Sequence, residues 1–503
     1  MEARWARNFL YLFLLATGWR LLYLAVTPLD LVPDEAYYWD WGRRPAWGYY
    51  SKPPLIGWIN TASTWLLGAT PFSVRLPAVL FGALGLLGIY GLGARLFGRR
   101  VGFWAAVLAV FSPATCILNF IMTIDAPLVC FWVLAMYASW RALENNRFGW
   151  WLLTALFCGL GLLSKQMMIV FLLLLPLFLV LSREDRRLLN SPQPYLPFAS
   201  LCFLAPAIAW NLEHGWITFR HTAHHFAASG AVGDFLRTAL DFIGGQLLLI
   251  NPVAVLLFVF LALSLGKRLM RQDRRVIFLF LFSAPPLLVF LLMSFRQRIN
   301  ANWPAVFYPA VFLLVAAWAC GKVDSGRGPD RKRPLLLRPL VTTGVVLTVL
   351  TYGLTFFFSG SSLGGGQLDP FCRLKGWHAL GKAIGRLKGD LPRPEKTFFL
   401  AISRQTASEL AFYGPGQPTV YLWNGRPETV LSQYDLWPSP NTKAGWDCLF
   451  IAEKGRAPDS RLTNTFSSFA KAGDLVISLG TSGRREFSLY LVQEFHPFSS
   501  LQH

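Results

Sequence analysis

The sequence predicts a polytopic α-helical membrane protein with a C-terminal α/β domain, and three observations predict it. Of its 503 residues 54% are hydrophobic and only 15% charged, whereas soluble globular chains carry about a quarter charged residues and disordered chains lack the apolar content. Apolar stretches, most of them near the roughly 20 residues that cross a bilayer core, recur from Phe9 to Phe358 and then stop. Beyond them, short β-rich runs alternate with helix patterns. The formal charge of +20 would fit nucleic-acid binding if it formed one patch, but the basic residues are dealt out between apolar runs, so no nucleic-acid partner is expected.

The apolar runs give about eleven transmembrane helices: Phe9 to Val26, Phe72 to Phe97, Val101 to Phe120, Ala126 to Leu143, Phe148 to Leu163, Gln166 to Leu181, Phe198 to Trp210, Leu236 to Leu265, Val276 to Phe295, Trp303 to Cys320 and Leu340 to Phe358. The seventh is short, and Leu55 to Leu67 reads as a re-entrant or interfacial helix. In the second, Gly82, Gly85, Gly88 and Gly91 recur every three residues. Small residues at helical spacing let membrane helices pack closely, and no strand precedes them as a phosphate-binding loop would require.

A cytoplasmic N-terminus places the basic clusters Arg95, Arg99 and Arg100, Lys267 to Arg275 and Lys322 to Arg338 inside, and leaves few basic residues outside. The positive-inside rule favours that orientation, and an odd number of spans then puts the tail on the outer side. The expected domains are residues 1–358 in the membrane and residues 359–503 in the periplasm of a bacterium, with the chain in the inner membrane. In the tail, Thr397 to Ile402, Thr419 to Trp423, Cys448 to Ala452, Leu475 to Leu479 and Glu486 to Val492 read as strands, with helices beginning near Trp377 and Thr406. Of the seven cysteines, only Cys372 and Cys448 fall in the tail, and an oxidising compartment makes a disulfide between them an expectation.

Sorted by side of the membrane, the unusual polar residues collect outside. Asp34 and Glu35 open a loop rich in Tyr and Trp, among them Tyr49, followed by Ser51-Lys52-Pro53-Pro54. A carboxylate there can act as general base, hold a divalent cation, or cap a helix. Asp125 begins the fourth span, where a helix cap is the plainer reading. Lys165 ends the fifth span, either snorkelling to the interface or binding an anion. Arg296, Arg298, Asn300 and Asn302 precede Trp303-Pro304, and an arginine fork suits phosphate oxygens. His214, His221, His224 and His225 share one loop; three of them match a helical face that could ligate zinc, but with no acidic or cysteine ligand beside them an interfacial polar face is favoured.

Taken in order, Asp34-Glu35, Ser51-Lys52-Pro53-Pro54, Asp125, Gly161-Leu162-Leu163-Ser164-Lys165, Trp210-Asn211 with His214 and Trp216, and Asn302-Trp303-Pro304 resemble the GT-C membrane glycosyltransferases. Within that class they are similar to the aminoarabinose-transferase and protein-mannosyltransferase superfamily. The resemblance implies transfer of a sugar from a polyprenyl phosphate donor to a lipid, glycan or protein acceptor at the outer face of the membrane. It also implies catalytic roles for Asp34, Glu35 and Asp125, donor-phosphate binding by Lys52, Lys165, Arg296 and Arg298, and substrate binding by Tyr49, Asn211, His214 and Asn302. Membrane lipids are further partners, and a divalent metal is the only cofactor considered. Ser51 stands where the aminoarabinose transferases carry an acidic residue, which weakens the case for a lipid A acceptor and for a metal built on that carboxylate. The competing readings are a lipid-linked-sugar flippase, which would show internal repeats and sites near the midplane, and an envelope polysaccharide assembly subunit.

Overall fold

The computed structural model describes residues 2–226, 235–326, 333–426, 428–456 and 458–497. It forms two compact units: one comprises Met1–Ala25, Arg75–Ala209 and Ala223–Tyr352, the other Val26–Val74, Trp210–Thr222 and Gly353–His503. The segment Val26–Val74 and the short segment Trp210–Thr222 thus fold with the tail rather than with the spans that flank them.

The first unit is helical. Among the described residues six helices are long and apolar enough to cross a membrane, seven if one bent pair counts as a single span, and three shorter apolar helices accompany them. Tyr308–Ala319 is buried all round, as expected of a helix at the centre of a bundle. Trp132 sits near that centre, edge-on to Phe171, Phe282 and Phe307 with ring centres 5.2, 5.9 and 5.3 Å away. Leu14, Leu15, Leu84, Leu173, Leu240 and Leu288 are exposed, an apolar exterior of the kind that lipid covers.

The sequence-based segments are all largely helical, but two expected single spans are broken. Val101 to Phe120 divides into Arg99–Val110 and Pro113–Leu118, because Pro113 ends the upstream helix and opens the next as its first residue. Leu236 to Leu265 divides into Phe235–Ile250 and Pro252–Gly266, bent by 110°. The pivot is Asn251, at φ 140°, whose Oδ1 accepts from the Val253 and Ala254 N–H groups at 2.9 and 3.4 Å. The Ser112 hydroxyl at the first break donates to the Leu249 carbonyl at the second, 2.9 Å. Each break therefore feeds polar groups to the other, which an apolar surround requires. The expected short seventh span is longer than the sequence suggested, running Gln193–Glu213 with a 3₁₀ start at Pro194 and Pro197.

The second unit is built on a five-stranded sheet: β1 Thr397–Ala401, β2 Val420–Leu422, β3 Asp447–Glu453, β4 Phe466–Ser478 and β5 Arg484–Phe495, in the order β2-β1-β3-β5-β4. β1 runs parallel to β2 and β3, and β5 antiparallel to β3 and β4. β1 is buried along its whole length, and its run Thr-Phe-Phe-Leu-Ala lacks polar alternation, as expected of a strand covered on both faces. Helix Arg404–Tyr413 makes the crossover between β1 and β2, and it packs on helix Trp377–Gly389 and on helix Pro33–Gly42. Leu55–Leu67 is a helix of this unit and packs on Pro33–Gly42. The expected disulfide is absent: all seven cysteines are free. Cys448 is buried in the sheet core with Phe398, Phe450 and Val492, whereas Cys372 lies in a 3₁₀ turn.

Candidate active site

The candidate residues form two constellations, one in each unit. In the second unit, Pro33 begins the helix Pro33–Gly42 and fixes its first turn. Glu35 reaches back to the helix start, its Oε2 accepting from the Val32 N–H at 2.9 Å. It is fully buried, so its carboxylate holds the helix end rather than meeting solvent. Asp34 projects from the same turn with its side chain 47% exposed, and its Oδ1 accepts from Arg404 Nη1 at 2.8 Å. Arg404 lies over the Tyr37 ring, 4.6 Å from its centre. Burial works to lower the Arg404 pKa, but the neighbouring Asp34 carboxylate and the Tyr37 and Tyr38 rings raise it overall, so the guanidinium is a fixed cation beside Asp34.

The helix is held to the tail by polar contacts. The Tyr37 hydroxyl accepts from the Gln433 N–H at 2.6 Å, and burial drives its pKa upward. The Tyr434 hydroxyl donates to Asp40 Oδ2 at 2.9 Å, and Arg43 Nη1 donates to Asp40 Oδ1 at 3.2 Å. Rigid support of this kind keeps a reacting group within a small cone of positions.

Three residues expected to bind substrate, Tyr49, Asn211 and His214, pack in and beside this loop. Tyr49 is fully buried and stacks on Trp41, ring centres 4.5 Å apart; its hydroxyl donates to the Trp41 carbonyl at 3.2 Å, and burial pushes its pKa up to about 12. Asn211 is buried, with Oδ1 accepting from the Thr218 N–H at 3.1 Å, and the Thr218 hydroxyl donates to the Tyr49 carbonyl at 2.8 Å. His214 stacks on Trp210, ring centres 4.0 Å apart. Trp210 itself lies against Gly48, where a Cβ would fall 2.7 Å from its Cε3. Lys52 contributes its carbonyl to the Tyr49 N–H, 3.3 Å. His221 meets the Tyr50 hydroxyl at 3.2 Å; the side chains of His224 and His225 lie outside the described residues.

In the first unit, Asp125, Lys165 and Asn302 come together from three segments. Asp125 opens helix Asp125–Asn145, Lys165 occupies an extended residue between Phe148–Ser164 and Gln166–Met168, and Asn302 precedes the 3₁₀ turn Trp303–Phe307. Lys165 Nζ donates to Asp125 Oδ1 and Asn302 Nδ2 to Asp125 Oδ2, both at 2.8 Å. The pair is well buried, with side chains 14% and 7% exposed. A buried ion pair with both carboxylate oxygens satisfied is a stable arrangement, and it commits Lys165 to Asp125 instead of leaving it with Arg296 and Arg298. Those two arginines are exposed in the turn that follows helix Ala284–Ser294.

Among the described residues no three His, Cys, Asp or Glu side chains come together as a metal site would need. The sequence reasoning missed Arg404, Asp40 and Tyr434. Ser403 at the start of the helix that carries Arg404 is visible in the sequence as an N-cap, but nothing local connects it to a carboxylate 370 residues away.

Residues 51–210 match the family model described as dolichyl-phosphate-mannose-protein mannosyltransferase. The chain is 27% identical over 329 residues to a lipid A galacturonosyltransferase of Rhizobium johnstonii, covering 63% of this chain and 67% of that protein. It is 32% identical over 179 residues to an undecaprenyl phosphate-α-4-amino-4-deoxy-L-arabinose arabinosyl transferase of Erwinia tasmaniensis, where the match spans about a third of each chain, 31% and 32%. Its fold is that of ArnT from Cupriavidus metallidurans, with a TM-score of 0.61 at 16% identity over 97% of this chain and 98% of the other.

Proposed function

We propose that the chain is a membrane glycosyltransferase of the GT-C class, which transfers a sugar from a polyprenyl phosphate donor to a lipid or glycan acceptor at the outer face of a bacterial inner membrane. The relatives named above act on lipid A, on galacturonate or on aminoarabinose, which makes an envelope lipid the acceptor to test first. In this reading residues 1–358 carry about eleven crossings with the N-terminus inside, and residues 359–503 fold in the periplasm onto the first outer loop.

The observation that carries the mechanism is the half-exposed Asp34 carboxylate, fixed on a capped helix and held through one oxygen by Arg404. Its second oxygen takes the proton of the acceptor hydroxyl or amine as that group attacks the anomeric carbon. The bond from that carbon to the phosphate oxygen breaks, and its electron pair leaves with the polyprenyl phosphate. Lys52, in the same unit as Asp34, stabilises the charge that grows on the leaving phosphate more than it stabilises the bound donor, and Arg296 and Arg298 are the donor-phosphate candidates of the first unit. The apolar chain of the donor is held between helices, at about 0.8 kcal/mol per buried CH₂. Glu35 positions Asp34 by fixing the helix start, and the Asp125–Lys165–Asn302 cluster ties three segments of the bundle together.

The test is transfer by purified protein from undecaprenyl phosphate carrying galacturonate or aminoarabinose to lipid A, read by mass spectrometry. Asp34→Asn should melt like the parent and lose about 10²- to 10⁴-fold in rate, the usual contribution of a general base. Parental turnover by that variant would remove Asp34 from the mechanism.

A further inference from the structure

In the second unit a cavity of about 170 Å³ opens at the β2 edge of the sheet. Tyr421 of β2 and the following Trp423 and Asn424 form one wall, Tyr434 and Trp437 another, and Arg44 and Arg461 complete the lining. The three outer rings, Tyr421, Trp423 and Trp437, are only half buried. At about 10–15 Å³ for each water-sized group, the space holds roughly a dozen such groups, the heavy-atom count of one hexose.

The lining has the chemistry of an acidic sugar. Aromatic faces accept the C–H face of a pyranose, while polar groups at the rim meet its hydroxyls. Guanidinium forks meet a carboxylate or phosphate through two parallel hydrogen bonds. Arg44 lies over Trp437, its guanidinium carbon 4.1 Å from the ring centre. Arg461 gives one nitrogen to the Gly425 carbonyl. The acidic group of the lining, Asp435, is turned to its own loop, its Oδ2 accepting from the Leu431 and Ser432 N–H groups at 3.0 and 2.7 Å. Two fixed cations thus face a cavity whose one carboxylate is engaged elsewhere.

The cavity also connects to the candidate base. Tyr434 in its wall donates to Asp40, and Asp40 and Asp34 stand six residues apart on one helix, about 9 Å along its axis. We propose that this cavity is a subsite for an acidic sugar residue of the acceptor, one that bears a carboxylate or a phosphate. That its occupant belongs to the acceptor rests on the transferase reading above; the binding chemistry does not.

The full-length protein in detergent is titrated with glucuronate, glucose 6-phosphate, glucose and inorganic phosphate, read by tryptophan fluorescence and saturation-transfer NMR. One or both acidic sugars should bind saturably, and which one binds tells carboxylate from phosphate. Glucose and inorganic phosphate should bind at least about tenfold more weakly. Arg44→Gln and Arg461→Gln should each weaken acidic-sugar binding about tenfold without changing the melting temperature, and Trp437→Phe should retain more affinity than Trp437→Ala. Arg461 is exposed, so its variant reports even if Arg44→Gln fails to fold. Failure of both acidic sugars to bind, equal binding of inorganic phosphate, or parental affinity in Arg461→Gln would overturn the proposal. Asp34→Asn should keep the binding. A parent that transfers sugar but binds neither acidic sugar defeats this inference alone, and a parent that binds but does not transfer defeats the transferase reading alone.

Discussion

Asp125 has both carboxylate oxygens engaged in a dry site, one by Lys165 and one by Asn302, and that arrangement sets what each substitution does. Asp125→Asn strands a buried lysine and Lys165→Met strands a buried carboxylate, so each should cost about 3–5 kcal/mol. The double variant should cost less than the sum, because neither charge is then left uncompensated; thermal unfolding in detergent of the four proteins measures the coupling, and strict additivity would mean the pair contributes nothing. Asp40 gives a pH signature. Burial raises its carboxyl above the ordinary value of 3.8, against the pull of Arg43, Arg44 and the Tyr434 hydroxyl. A carboxyl that binds its proton more tightly when folded contributes stability that is complete below the unfolded value and is lost as pH rises through the folded one. Asp40→Asn keeps an acceptor for Tyr434 and removes that loss. It should melt above the parent near pH 7 and converge with it below about pH 4.

At the scale of elements, helix packing in the first unit is decided by glycines. The run from Gly82 to Gly91 behaves as the spacing suggests: a Cβ at Gly88 would fall 2.7 Å from Val133 Cγ1, and one at Gly91 3.4 Å from Tyr137, both on helix Asp125–Asn145. At Gly82 a Cβ would fall 2.2 Å from the Asn119 Cγ, a side-chain atom, whereas the closest backbone approach in this unit lies outside that repeat, at Gly102, 2.5 Å from the Tyr90 carbonyl oxygen. A Cβ on Gly93 would come 2.7 Å from the Gly102 Cα, and one on Gly102 2.8 Å from the Ala94 nitrogen. Those neighbours are backbone and cannot swing away, so Gly102→Val should cost about 1–3 kcal/mol, more than Gly149→Ala, where nothing lies within 4 Å. Comparison of melting temperatures checks the order. The broken helices belong to the same scale. Pro113 and Pro252 are visible in the sequence, but a proline in a membrane helix can kink a span or end one. The 110° turn depends on Asn251 satisfying the freed N–H groups and on Ser112 reaching the Leu249 carbonyl.

For the molecule as a whole, the second unit makes the tail and the segment Val26–Val74 one folding problem. Asp34, Tyr37 and Asp40 find Arg404, Gln433 and Tyr434 as partners, so a chain truncated after Phe358 leaves helix Pro33–Gly42 without its support. In limited trypsin digestion of purified protein, the truncated chain should be cut at the Arg43–Arg44 bond, since Pro45 and Pro53 block the bonds after Arg44 and Lys52, under conditions in which the full chain is protected there; equal protection would show that the loop folds alone. By itself the sequence determined the apolar helical segments and four of the five strands of the tail at nearly their observed positions, but only the end of the strand Phe466–Ser478, because hydrophobic period and strand composition are local properties. It misread Cys372 and Cys448 as a pair and kept two broken helices whole. Only the tertiary structure joined Lys165 to Asp125 and Arg404 to Asp34, across 40 and 370 residues of chain. Partners so distant are chosen by which surfaces meet when apolar area is buried, and no local pattern in one sequence encodes that choice.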